Sequence, residues 1–134
     1  MILNVTTYLG AAALSDFRLQ AVNRGLQPLG LELLRAEWIY LAAWRDAATD
    51  DARKLALLIE TDARLEDEAD QVLIAPRLGT VSPWSSKATD IARVCGLTQL
   101  ARLEQGRRLI VRGWDQADAA TRRNALKDLH DALT

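Results

Sequence analysis

The sequence predicts an α+β fold made of two similar halves, each running strand, helix, strand, helix. Three observations predict it. Stretches rich in β-branched and aromatic residues alternate with stretches whose apolar residues recur at helical spacing. That order occurs twice, in halves at about residues 1–60 and 72–134 separated by an acidic joint at 61–71. Gly30-Leu31 also recurs as Gly96-Leu97, and the same offset of 66 residues lays Leu34 on Leu100. Strands of such a duplicated module are expected to join in a common sheet.

In the first half, Ile2–Tyr8 reads as a strand through its β-branched and aromatic content. Ser15 opens a helix whose apolar stripe is Leu14, Phe17, Ala21, Val22, Leu26 and Leu29. Pro28 restricts Gln27, and Gly30 can take the left-handed conformation that ends a helix. Leu31–Leu41 follows as a strand with Leu34, Ala36, Trp38 and Tyr40 on its apolar face. Thr49, ahead of Asp50 and Asp51, caps a second helix buried through Leu55, Leu58 and Ile59.

The joint carries Glu60, Asp62, Glu66, Asp67, Glu68 and Asp70 against Arg64 alone, and reads as a solvated linker or a frayed helix end. In the second half, Val72–Arg77 is a strand, and the helix from Pro83 places Trp84, Ala88, Ile91, Ala92 and Cys95 on one face. Gly96 ends that helix. Leu97–Arg112 reads as a strand interrupted at Gly106 by a bulge or tight turn. Asp118–Leu133 closes the chain as a helix packed through Leu126, Leu129 and Leu133.

Composition narrows the function classes. The 134 residues suit one domain with a real core. A net charge of −1 selects neither nucleic acid nor an anionic membrane. No apolar run approaches the roughly 20 residues that span a bilayer, and no basic segment precedes an apolar one at the start. A single cysteine excludes an internal disulfide and suits a reducing cytosol, so a cytoplasmic location is expected. Cys95 falls at the C-terminal end of its helix, where the dipole opposes a thiolate, and so reads as structural. His130 reads as an exposed side chain. Nothing in the chain forms a catalytic constellation, a metal set or a glycine-rich phosphate loop.

The chemistry therefore concentrates at the start of the third helix. Ser82 before Pro83 is a strong start signal, because serine caps free N–H groups and proline at the first position gives up a donor that would be unpaired. Ser85, Ser86, Lys87 and Thr89 then crowd the first turn and a half, where helix formers would be expected. Four donors thus sit at the end of the helix that favours negative charge. A well-capped helix with a solvated polar face would show the same pattern.

The run Pro76-Arg-Leu-Gly-Thr-Val-Ser-Pro-Trp-Ser-Ser-Lys-Ala-Thr-Asp-Ile-Ala-Arg-Val-Cys-Gly-Leu97 resembles a signature of the large single-chain phosphoribosylformylglycinamidine synthases, the FGAR amidotransferases. Ala13-Leu-Ser-Asp-Phe-Arg18 and Arg102-Leu-Glu-Gln-Gly106 agree with the family, and Ala36-Glu-Trp-Ile-Tyr40 does so more loosely. The likeness weakens between Asp46 and Asp70 and after Gly113, and in the acidic joint the family more often shows glycine and proline. It covers the N-terminal domain of those enzymes. The resemblance implies two fused PurS-like β-α-β-α halves in a pseudo-twofold arrangement, an antiparallel sheet with helices packed on it.

It also implies a role. The intact enzyme would convert formylglycinamide ribonucleotide, glutamine and ATP into the formylglycinamidine, glutamate, ADP and phosphate, with ATP and Mg handled outside this domain. The domain would be inactive alone, with no cofactor of its own, and would dock on the synthetase and glutaminase domains. Arg77, Thr80, Ser82, Ser85, Ser86, Lys87, Thr89 and Asp90 are the expected docking or substrate-edge residues, with Pro83 and Trp84 as structural anchors. The alternatives are a stand-alone PurS-like subunit of a multi-chain synthase and an unrelated phosphate- or anion-binding module.

Overall fold

The computed structural model describes residues 3–47, 50–75 and 82–133. Its elements are β1 (Asn4–Ala12), α1 (Asp16–Leu26), β2 (Glu32–Trp44), α2 (Asp51–Ile59), β3 (Gln71–Ile74), α3 (Pro83–Val94), β4 (Leu100–Arg112) and α4 (Ala119–Leu133). The four strands form one antiparallel sheet in the order β1-β2-β4-β3, with the helices packed on it. The α+β class and the repeated β-α-β-α order expected from the sequence are both present.

Contacts divide the chain into two compact units. The first holds Met1–Ala11, Trp38–Glu66 and Ile74–Arg107, and so contains α2 and α3. Its core gathers Tyr8, Ala42, Trp44, Leu55, Ala92, Leu97, Leu100 and Leu103. The second holds Ala12–Glu37, Asp67–Leu73 and Arg108–Thr134, with α1 and α4. Val22, Leu26, Leu33, Leu109, Val111 and Leu129 are buried in it. Trp44 and Trp114 both belong to cores.

The second unit shows why its helices stand where they do. Ser15 caps α1 by accepting the Arg18 N–H at 3.2 Å, and a short 3-10 turn over Gln27–Leu29 ends at Gly30 with φ 74°. Phe17, expected in the buried stripe, is 73% exposed. At 100° per residue it points about 140° away from Val22, while Val22 and Leu26 lie about 40° apart and are buried together. On α4, Ala125 and Leu129 are buried and Leu126 is exposed, one position off the expected stripe; the Leu133 side chain lies outside the described residues. Asp118 caps α4 by accepting the Thr121 N–H at 2.8 Å.

The strands depart from simple alternation. On β2 the buried residues are Leu33, Ala36, Ile39, Ala42 and Trp44, rather than Leu34, Ala36, Trp38 and Tyr40. β2 lies inside the sheet between β1 and β4, and buried residues of both parities mean that both of its faces receive cover. β4 runs unbroken through Gly106, so no tight turn interrupts it. Glycine is required there for another reason: a Cβ at Gly106 would stand 2.5 Å from the Ile74 carbonyl oxygen. Close approach of backbone on β3 excludes any side chain.

The acidic joint is bonded rather than free. Glu60 caps α2 in the left-handed region at φ 62°. The Leu9 N–H then donates to Ala63 O at 2.8 Å, and the Leu65 N–H to Thr7 O at 3.0 Å. These bonds cover the open edge of β1. Further along, Glu68 takes both carboxylate oxygens to Arg35, at 2.6 and 2.7 Å, and lies 3.6 Å from the buried Arg108. The expected cap Thr49 lies outside the described residues; Asp50 holds the N-cap position of α2.

Candidate functional site

The start of α3 forms as the sequence predicts. Ser82 stands in extended backbone, its Oγ accepts the Ser85 N–H at 3.0 Å, and Pro83 occupies the first turn. Arg77 and Thr80 lie outside the described residues.

The donors of that first turn are spent differently from one another. β4 has 13 residues and its outer neighbour β3 only 4, so β3 cannot pair with all of β4. Side chains of α3 bond to the first part of β4. Ser85 Oγ donates to Leu103 O at 2.6 Å, and the Leu103 N–H donates to Thr89 Oγ1 at 3.0 Å. Arg93 donates to Leu100 O at 3.4 Å and Ala101 O at 3.2 Å. Residues 82, 85, 89 and 93 recur at three or four, and therefore share one face of the helix. That face is polar and turned inward.

Ser85 and Thr89 are accordingly buried, at 0% and 7% exposure, and are not the docking donors the sequence suggested. The expected anchor Trp84 is instead 37% exposed, its ring 6.0 Å from that of Tyr40. Ile91 and Val94, about two and nearly three turns further, are 49% and 88% exposed. The expected apolar face is covered only in part: Ala92 is fully buried and Ala88 partly buried, while Cys95 is exposed at the helix end with a free thiol. Ser86, Lys87 and Asp90 are exposed, and Lys87 makes no ion pair among the described residues.

Sequence reasoning missed the partner of the cap. The Ser82 hydroxyl donates to Glu104 Oε1 at 2.8 Å, Arg102 donates to Glu104 Oε2 at 2.7 Å, and the Gln105 N–H reaches Oε1 at 3.1 Å. Burial of Glu104 favours its neutral form, but the bonds from Arg102, Ser82 and Gln105 outweigh it and hold the carboxyl below its ordinary value. Glu104 and Arg102 belong to the Arg102–Gly106 stretch, which stood out only by resemblance. Three of the resembling stretches thus meet in the first unit, through Tyr40, α3 and the start of β4.

Between the last turn of α2 and the first turns of α3 lies a groove of about 360 Å³. Tyr40, Leu103 and Gln105 line it from the strands, Leu58, Ile59 and Glu60 from α2, and Trp84, Lys87, Ala88 and Ile91 from α3. A larger open cavity of about 700 Å³ runs along α2 beside Tyr8, whose ring carries the Arg64 guanidinium at 4.6 Å. Its lining holds neither histidine nor cysteine. Among the described residues no three His, Cys, Asp or Glu side chains gather to hold a metal ion. No described helix is long and apolar enough to cross a membrane. A sequence profile of the family described as "Formylglycinamide ribonucleotide amidotransferase N-terminal" matches residues 37–134.

Proposed function

Because the chain belongs to the formylglycinamide ribonucleotide amidotransferase N-terminal family, we propose that it is a docking domain, inactive alone, of an enzyme of purine biosynthesis. The whole enzyme carries formylglycinamide ribonucleotide, glutamine and ATP to the formylglycinamidine, glutamate, ADP and phosphate. Its ATP-using synthetase core and its glutaminase are the domain's partners, and this domain orders the two so that ammonia passes between them. All of this chemistry takes place in the cytoplasm.

One observation carries the reading. α3 is held to its own unit by its polar stripe and leaves Trp84 and Ile91 of its apolar stripe exposed, with Val94 beside them. A helix folded that way round loses apolar burial of about 25 cal/mol per Å² unless something else covers it. Nearby, Ser86 and Lys87 remain available to a partner.

Ser86→Ala with Lys87→Ala in the full-length enzyme tests the role. Both side chains are exposed, so the domain's melting temperature should stay within about 1 °C, as surface changes of a few tenths of a kcal/mol allow. Glutamine-dependent turnover should fall while turnover with ammonia is retained. Unchanged glutamine-dependent turnover would remove the docking role.

A further inference from the structure

We infer that the groove between α2 and α3 seats a polypeptide segment from the remainder of the amidotransferase, apolar along one side, with a carboxylate for Lys87 and a basic group for Glu60. The inference rests on the docking reading above and adds the surface and the chemistry of its partner.

The lining decides what fits. Leu58 from α2 and Trp84 and Ile91 from α3 are all partly exposed around this groove, and Leu103 closes its floor. The buried hydroxyls of α3 are consumed by Leu103, so they offer nothing to a small polar ligand. An apolar side chain row is therefore the better complement than a phosphate or a sugar. Charge then orients it. Lys87 stands on the α3 wall and Glu60 on the α2 wall, and neither forms an ion pair among the described residues. Opposite charges on opposite walls favour a segment with its own charges in one order and disfavour the reverse. A purely apolar strand or a uniformly acidic one matches only half of that pattern.

The chain has three lysines, Lys54, Lys87 and Lys127, all exposed in this structure, which makes a direct test possible. Full-length amidotransferase is acylated with an N-hydroxysuccinimide ester, and the rate at each lysine is followed by mass spectrometry. The expected result is acylation of Lys87 at least tenfold slower than of Lys54 and Lys127, with Lys87→Glu lowering glutamine-dependent turnover more than Lys87→Met. Equal rates at all three lysines would overturn the inference, as would protection of Lys87 that disappears on dilution, which marks a second copy in the groove. Equal rates together with uncoupling by the Ser86 and Lys87 alanine variants would leave the docking role standing on another surface. A protected Lys87 with coupling intact in those variants would keep the seated groove and discard the role.

Discussion

Asn23 and Leu33 exchange two hydrogen bonds: the Leu33 N–H donates to Asn23 Oδ1 at 2.6 Å, and Asn23 Nδ2 donates to Leu33 O at 3.0 Å. One amide side chain on α1 thereby does for a strand residue what a neighbouring strand would do. The second half of the chain reaches the same end with two side chains, Ser85 Oγ donating a hydrogen bond to Leu103 O and Thr89 Oγ1 accepting one from the Leu103 N–H. Each half therefore ties its first helix to its second strand through polar side chains and backbone, in addition to apolar packing.

Removing either end of the α3 clamp strands a buried group of β4. Ser85→Ala leaves the Leu103 carbonyl without that donor and should cost about 1–3 kcal/mol, as should Thr89→Val. Urea unfolding of the two single variants and their double reads the effect, and a loss below about 0.5 kcal/mol for both would contradict the clamp.

Glu104 makes the stability of the first unit sensitive to acid. Its folded carboxyl lies below its ordinary value, so the stabilisation is fully present above the ordinary carboxylate range. It is lost as pH falls from near 4.5 through the lower folded value. Glu104→Gln should lower the melting temperature at pH 7, and the gap between the two proteins should narrow as pH drops below 4.5. A gap that widens in acid would mean that the folded Glu104 carboxyl lies above its ordinary value instead.

Gly106→Ala places a Cβ against the Ile74 carbonyl, where neither backbone has room. Overpacking of this kind costs about 1–3 kcal/mol. Thermal unfolding measures it, and a neutral result would mean that β3 moves aside freely.

The charged cluster of the second unit is unequal in its parts. Arg108 is buried and reaches Glu37 at 2.7 Å, whereas Arg35 and Glu68 are exposed. Glu37→Ala leaves a buried cation short of its near partner and should cost about 3 kcal/mol. Glu68→Ala should cost at most about 1 kcal/mol despite its shorter distances, because water screens an exposed pair. Equal losses in denaturant titration would refute that ranking.

Much of this was legible in the residues. Ser15, Gly30, Ser82, Pro83 and Gly96 mark helix ends by local chemistry alone, and each stands where that chemistry places it. Faces were harder. The apolar pattern of α3 reads as Trp84, Ala88, Ile91, Ala92 and Cys95 inward, but beside an incompletely paired strand the helix turns Ser85 and Thr89 inward together with Ala92 and leaves Trp84 and Ile91 outside. That choice depends on β3 being short, which no pattern within α3 encodes. Glu104 escaped notice for the same reason: it sits 22 residues from the hydroxyl it accepts.

The two compact units have a consequence for the chain's history. The first needs α2 from before the joint and α3 from after it, and the second needs α1 and α4 in the same crossed fashion. Cutting the chain in the joint would therefore not release two miniature proteins. Each fragment would carry half of two incomplete cores, and only recombination of both would restore either. A chain threaded in this way cannot lose either half and keep a core, so its two halves are bound to evolve as a single piece.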